Sequence, residues 1–250
     1  MAKAVLITGA SSGLGEGMAR EFAERGYDLA LCARRTERLE TLKTEIQRRQ
    51  PNIRILIRAL DVNQHDRVFD VFNGFHQDLG RLDRIIVNAG IGKGQPLGSG
   101  GFHANRDTAE TNFVAALAQM EAGMAILRSQ NEGQLVIVSS VSAIRGMPGN
   151  VTTYGATKAG VAALAEGLRV ELAKTRSPIR ITTLFPGYIS TAINADIKHK
   201  PFVVDAETGC RAMVKAIESG KADVYVPGWP WRAIGFIMKR VPTSLLARML

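Results

Sequence analysis

Short apolar runs alternate with longer amphipathic stretches along most of the chain. Ala4–Thr8, Asp28–Ala33, Ile53–Ala59, Arg84–Asn88, Gln134–Ser139 and Ile179–Phe185 are short, mainly apolar and rich in β-branched residues. That is the pattern of strands covered on both faces. Between them, Leu14–Arg25, Thr36–Arg49, Gln64–Leu79, Asn105–Arg128 and Thr153–Lys174 read as helices, and Asp223–Val226 as a last short strand. Repeated strand–helix units call for right-handed crossovers and a doubly wound parallel α/β sheet. Such a sheet takes its ligand beyond the carboxyl ends of its strands, so functional residues are expected just after strands. No linker rich in Pro, Gly and Ser divides the chain, and Gly90–Gly101 reads as a loop. Residues 1–250 are therefore read as one domain, with a substrate loop at about 188–204 and an apolar segment at about 229–250.

Composition narrows the function without fixing it. Of 250 residues, 46% are hydrophobic and 22% charged, which is ordinary for a globular protein. The formal charge of +9 raises the question of nucleic acid, but Lys and Arg are scattered and aromatics make up only 6%. A basic surface attracting phosphorylated cofactors or acidic lipid is the simpler reading. Cys32 and Cys210 make no disulfide framework, and no metal site is expected. The N-terminus runs directly into a strand rather than a signal peptide, and no apolar stretch approaches the roughly 20 residues that cross a bilayer. A cytoplasmic setting is expected.

The first strand is followed by Thr8-Gly9-Ala10-Ser11-Ser12-Gly13-Leu14-Gly15, opening a helix. Glycines allow a tight turn and close approach of a pyrophosphate, and the helix N-terminus offers free N–H groups. The second strand ends Cys32-Ala33-Arg34-Arg35, where an acid would favour NAD(H) through the ribose hydroxyls. An arginine there, Arg34 foremost, instead suits a 2′-phosphate, and NADP(H) is expected over NAD(H). Asp61-Val62 after the third strand suits adenine, although Asp61 serves equally well as a cap for the next helix. Asn88-Ala89-Gly90 after the fourth leaves room for a cofactor to lie on the backbone.

Tyr154-Gly155-Ala156-Thr157-Lys158 puts a phenol and an amine on one helix face, at i and i+4. Carbonyl reduction needs a hydride on carbon and a proton on oxygen. A phenol holds its proton tightly near pH ~10, and a neighbouring ammonium is expected to lower that pKa. Upstream, Val138-Ser139-Ser140-Val141-Ser142 offers a hydroxyl to orient the substrate oxygen. Asn112, a poor helix former inside the long helix after the fourth strand, is a candidate for holding a water.

These motifs, in this order, resemble the short-chain dehydrogenase/reductase family in its compact branch. The resemblance runs from Lys3 to about Thr191 and closes on Pro186-Gly187…Thr191. It implies a Rossmann-like sheet of about seven strands and a tetrad of Asn112, Ser140, Tyr154 and Lys158. Tyr154 would act as general acid/base and Ser140 would stabilise the oxygen. Lys158 would tune the phenol and grip ribose, and Asn112 would hold the relay water. Gly9, Ser11, Ser12, Gly13, Leu14, Gly15, Arg34, Arg35, Asp61, Val62, Asn88, Ala89, Gly90, Pro186, Gly187, Ile189 and Thr191, with Tyr154 and Lys158, would line the cofactor. From Ser140 to Tyr154 is 14 positions, one more than in many members of the family. A longer Met147–Thr153 loop would absorb the difference, with Ser142 as the other candidate serine.

After Thr191 the chain becomes individual. Its tail, Trp229-Pro230-Trp231-Arg232-Ala233-Ile234-Gly235-Phe236-Ile237-Met238-Lys239-Arg240-Val241, is apolar and aromatic, with no acid between Val224 and Leu250. It suits packing on self or a partner subunit, contact with an anionic membrane, or a docked terminal helix. The expected protein is an NADP(H)-dependent oxidoreductase of small-molecule carbonyls or alcohols, lipophilic ones in particular, acting as a homodimer or homotetramer. A non-catalytic NADPH sensor on the same fold is the alternative. Epimerases and dehydratases share the Tyr and Lys but usually add a substrate domain. A purely structural protein would leave the strand-end residues unexplained.

Overall fold

A computed structural model describes residues 2–92, 94–191 and 202–249. Its centre is a seven-stranded, all-parallel sheet in the order β3-β2-β1-β4-β5-β6-β7. The strands are β1 (Ala4–Thr8), β2 (Asp28–Ala33), β3 (Ile55–Ala59), β4 (Arg84–Val87), β5 (Gln134–Val138), β6 (Arg180–Pro186) and β7 (Asp223–Val226). Each lies within two residues of its expected window. The four strands β1, β2, β4 and β5 are buried along their entire length. That is why their sequences lack the polar alternation of a half-exposed sheet.

The strand order reverses beside β1, which sends the helices to both faces. One face packs α1 (Gly13–Glu24), α2 (Thr36–Arg49) and α7 (Ala206–Glu218) over Val5, Ile7, Leu29, Leu31 and Val136. The other packs α3 (His65–Leu79), α5 (Ala115–Gln130) and α6 (Thr152–Lys174) over Leu6, Ala30, Ile85, Leu135 and Ile137. Phe22, Phe72 and Phe75 are fully enclosed, and burial of such side chains contributes roughly 1.5–3 kcal/mol each.

Two elements depart from the sequence reading. The long fourth helix is broken into α4 (Phe102–Ala109), a π-turn at Glu110–Val114, and α5. Helix α7 was not anticipated, although Asp205 caps it by accepting a hydrogen bond from the Thr208 N–H. Gly17 of α1 sits against it so closely that an added Cβ would lie 2.4 Å from Cys210 Sγ. The expected substrate loop at about 188–204 falls largely outside the described residues. At the C-terminal end, α8 (Gly228–Met238) packs on β7, and α9 (Thr243–Met249) follows it. Among the described residues, no helix is long and apolar enough to cross a membrane.

Candidate active site

The carboxyl ends of the strands open into one cleft of about 1140 Å³. It runs from Arg34 and Asp61, past Gly9 and Gly90, to Ser140, Tyr154, Lys158 and Pro186. That exceeds the roughly 300–1,000 Å³ of a drug-sized ligand site, leaving room for a dinucleotide and a substrate side by side.

The glycine turn is held from two sides. Gly9 adopts φ +65°, a left-handed conformation that L side chains rarely take, and a Cβ there would meet Ala89 Cα at 2.9 Å. Asn88 Nδ2 donates to Thr8 O (2.8 Å), and Thr8 Oγ1 accepts from the N–H groups of Asn88 (3.0 Å) and Ala89 (3.1 Å). The ends of β1 and β4 are thereby locked together, and the Asn88 amide is spent on the frame. Across the turn, Thr191 Cβ stands 3.6 Å from where a Gly13 Cβ would sit. Ser12 begins α1 without a side-chain cap, so the first-turn N–H groups have no capping side chain. An anion fits there in the cap's place.

The two arginines after β2 differ. Arg35 Nη2 donates to Ser12 Oγ (2.7 Å) and Ser11 Oγ (3.2 Å), bracing the turn. Arg34 is exposed on the cleft and makes no hydrogen bond or ion pair among the described residues. Asp61 lines the cleft and also accepts from the Asn63 N–H (3.1 Å), which closes the turn before α3 rather than capping that helix, whose first turn follows Gln64. Val62 lies buried beside it.

At the other end, α6 carries Tyr154 and Lys158 to the carboxyl end of β5. Among the side chains, the Ser140 hydroxyl is the neighbour that favours the ionised form of the Tyr154 phenol. Ser140 Oγ also accepts from the Ser142 N–H (3.1 Å), closing the turn after β5. A short 3₁₀ turn at Gly149–Val151 lies in the loop between Ser140 and Tyr154. Ser142 lines the cleft as well, but the serine that acts on the phenol is Ser140.

Lys158 Nζ donates to Val138 O (2.9 Å) and lies 5.9 Å from the centre of the Tyr154 ring. Burial pulls its amine down from 10.5 to about 8. Burial pushes the Tyr154 phenol upward, and the Ser140 hydroxyl only partly opposes this. The expected lowering of the phenol by an adjacent ammonium is therefore not what the site shows. Desolvation outweighs the other influences on both groups, and the amine is aimed at a backbone carbonyl.

Asn112 is buried within the π-turn. Its Oδ1 accepts from the Ile91 N–H (2.8 Å) and its Nδ2 donates to Ile91 O (2.7 Å). Both ends of the amide are thus committed to the loop after Gly90. On the far wall, the backbone of Gly187 is covered by Trp231 of α8: a Cβ at Gly187 would fall 2.0 Å from the indole nitrogen. Trp231 also meets Tyr188 edge-on, with ring centres 5.7 Å apart. The family motifs lie before Thr191, and the signal for Trp231 lay in the aromatic tail. Among the described residues, no cluster of His, Cys, Asp and Glu could hold a metal.

A doubly wound sheet with a phenol, an amine and a hydroxyl converging at its carboxyl edge is the architecture of a Rossmann-like oxidoreductase. The chain belongs to the short chain dehydrogenase family, whose sequence model matches residues 3–201. It is 50% identical to an uncharacterized oxidoreductase of Mycobacterium tuberculosis over 98% of this chain and 96% of the relative. It is 31% identical to 11-beta-hydroxysteroid dehydrogenase 1A of Arabidopsis thaliana, over 91% of this chain and 69% of that protein. The crystal structure of levodione reductase superposes with a TM-score of 0.82 at 26% identity, covering 92% and 98% of the two chains. The protein is a dehydrogenase/reductase of this family.

Proposed function

We propose that this enzyme is an NADP(H)-dependent reductase of lipophilic carbonyls, with the reverse alcohol oxidation available to the same residues. The observation that carries the reading is that Ser140, Tyr154 and Lys158 line one end of a single cleft, the amine 5.9 Å from the centre of the phenol ring, and Arg34 lines the other end. Bound nicotinamide would supply or accept the hydride.

The residues of the chain do the rest. Ser140 and Tyr154 present hydroxyls to the substrate oxygen. Tyr154, its pKa pushed up by burial, keeps its proton at neutral pH and gives it to the oxygen as negative charge develops there. In the oxidative direction it takes the proton back. Lys158 holds the ribose side of the cleft and supplies positive charge near the phenol. Asn112 fixes the Ile91 loop with its side chain, so a water-holding role falls to its backbone carbonyl within the π-turn.

For the cofactor, Gly9, Ser11, Ser12, Gly13, Leu14 and Gly15 cradle the pyrophosphate, and Asp61 and Val62 face adenine. Ala89 and Gly90 give the ribose clearance, and Pro186, Gly187, Ile189 and Thr191 bound the nicotinamide. Arg34, with no partner among the described residues, takes the 2′-phosphate. Lipophilic carbonyls of 3-oxoacyl, steroid or simple ketone type suit the Ile91, Val151 and Tyr188 lining. The relative named as a hydroxysteroid dehydrogenase and the structure named as levodione reductase favour the same class. A homodimer or homotetramer is expected, since Val114 and Leu117 near α5 and Val170 on α6 expose apolar side chains. A cytoplasmic protein with peripheral membrane contact is the location that a lipophilic substrate suggests.

The test is a panel of steroid ketones, 3-oxoacyl thioesters and small ketones with NADPH and NADH, followed by absorbance of the reduced nicotinamide. Turnover with NADPH is expected, with loss of at least about 10²-fold in Tyr154→Phe while NADPH affinity stays unchanged. Tight NADPH binding with no turnover on any carbonyl or alcohol would establish the non-catalytic sensor instead.

A further inference from the structure

The C-terminal helices leave a surface that the catalytic site does not use. Trp229 is 80% exposed, Phe236 62% and Ile237 57%, with Leu245 on α9 also open to solvent. An open groove of about 770 Å³ runs among Trp229, Ala233, Phe236 and Ile237. Arg232 and Lys239 line it, Arg240 and Arg248 are exposed as well, and no Asp or Glu occurs from Val224 to Leu250. The Arg240 guanidinium lies 3.8 Å from the centre of the Phe236 ring, so charge and apolar surface are interleaved.

The surface has a fixed relation to the site. Arg145, three residues after Ser142, donates to Met238 O (2.9 Å) and Val241 O, clamping the end of α8 to the loop that carries Ser140. Phe202 (58% exposed) meets Trp231 edge-on, and Trp231 covers Gly187 on the cleft wall. The same helix α8 that carries the exposed Trp229 and Phe236 thus supplies a wall of the cleft through Trp231.

We infer that this patch, Trp229, Phe236 and Ile237 flanked by Arg232, Lys239 and Arg240, docks the enzyme on an anionic lipid bilayer. Aromatic and aliphatic side chains would enter the headgroup boundary while the long cationic side chains reach lipid phosphates. Charge selects this occupant over a second copy of the chain. In a twofold contact the patch would face itself and set these cations against their own images with no acid between them. A bilayer rich in acidic lipid supplies the missing negative charge. The inference deepens the lipophilic-substrate reading by placing the cleft beside the membrane. Its test measures binding without turnover, so either can fail alone.

The full chain is floated with vesicles of phosphatidylglycerol and phosphatidylcholine, and separately with phosphatidylcholine alone. Binding is expected to the anionic vesicles, with a blue shift of Trp229 emission. It should be lost at about 1 M salt, where the screening length falls to about 3 Å. Lys239→Gln with Arg240→Gln should weaken partitioning roughly thirtyfold. Trp229→Ser with Phe236→Ser and Ile237→Ser should abolish it, while the circular dichroism spectrum and thermal transition are retained, which shows that the variant is folded. The inference is overturned if wild type ignores anionic vesicles, or if either variant binds as wild type does. It is also overturned if the apolar variant lowers the mass seen by light scattering, because the patch is then an interface between copies.

Discussion

Replacing Lys158 by Met should make the protein more stable while destroying its activity. The folded chain holds this amine at 6% exposure, with its pKa at about 8 against an ordinary 10.5. At 1.36 kcal/mol per decade of pH, that gap makes the charged amine cost about 3 kcal/mol in the folded state. Methionine fills similar space without charge, but it forfeits the hydrogen bond to Val138 O, which contributes about 1 kcal/mol. The net expectation at pH 7 is a gain of about 2 kcal/mol, or roughly 4–8 °C in Tm for a chain of this size.

The pH dependence carries a sign that can fail. Below about 8 the amine is protonated in both folded and unfolded chains, and its burial cost is felt in full. Between about 8 and 10.5 the unfolded chain keeps a proton that the folded chain has released, so wild-type stability rises with pH. The advantage of Lys158→Met should therefore shrink from pH 8 towards pH 10. Above 10, Tyr154 keeps a proton that the unfolded chain loses, and stability falls again, so the comparison stops there. Urea unfolding followed by circular dichroism, without nicotinamide, reads the difference at each pH. A variant less stable than wild type at pH 7, or a gap that stays constant from pH 8 to 10, would refute the desolvated-amine argument.

Four further substitutions probe binding and packing. Arg34→Ala should raise the Kd for NADPH about ten- to a hundredfold and leave NADH alone, whereas Arg35→Ala should weaken both because it loosens Ser11 and Ser12; fluorescence titration of the two cofactors separates them. Gly17→Ala should lower stability by about 1–3 kcal/mol in thermal unfolding, because its Cβ would lie 2.4 Å from Cys210 Sγ, and Cys210→Ala in the same chain should restore most of the loss.

The sheet was legible in the sequence because strands buried on both faces leave uninterrupted apolar runs, as in Val5-Leu6-Ile7 and Leu135-Val136-Ile137. Their carboxyl ends located the cleft for the same reason. The π-turn was not legible: an extra residue in one helical turn leaves the apolar period almost unchanged, and Asn112 was the only hint. Helix α7 leaves a readable trace, since Asp205 stands at its cap and Cys210, Met213, Val214 and Ile217 keep helical spacing. The pKa balance at Tyr154 and Lys158 was beyond any spacing argument. It depends on how completely the fold removes water from both groups, and on Val138 O standing where the amine points.

The motif residues also divide in a way that sequence order conceals. The Asn88 amide is bound to Thr8, Asn112 to Ile91, and Arg35 to Ser11 and Ser12. Each of these side chains acts on a loop, and only through that loop on a ligand. Arg34, Ser140, Tyr154 and Lys158 instead reach the cleft with hydrogen-bonding capacity still available. Substitutions in the first group should therefore disturb turn geometry and affect cofactor and substrate together. Those in the second should act separately: Arg34 on which nicotinamide binds, and Ser140, Tyr154 and Lys158 on the chemical step. That separation follows from which polar atoms the fold has already satisfied.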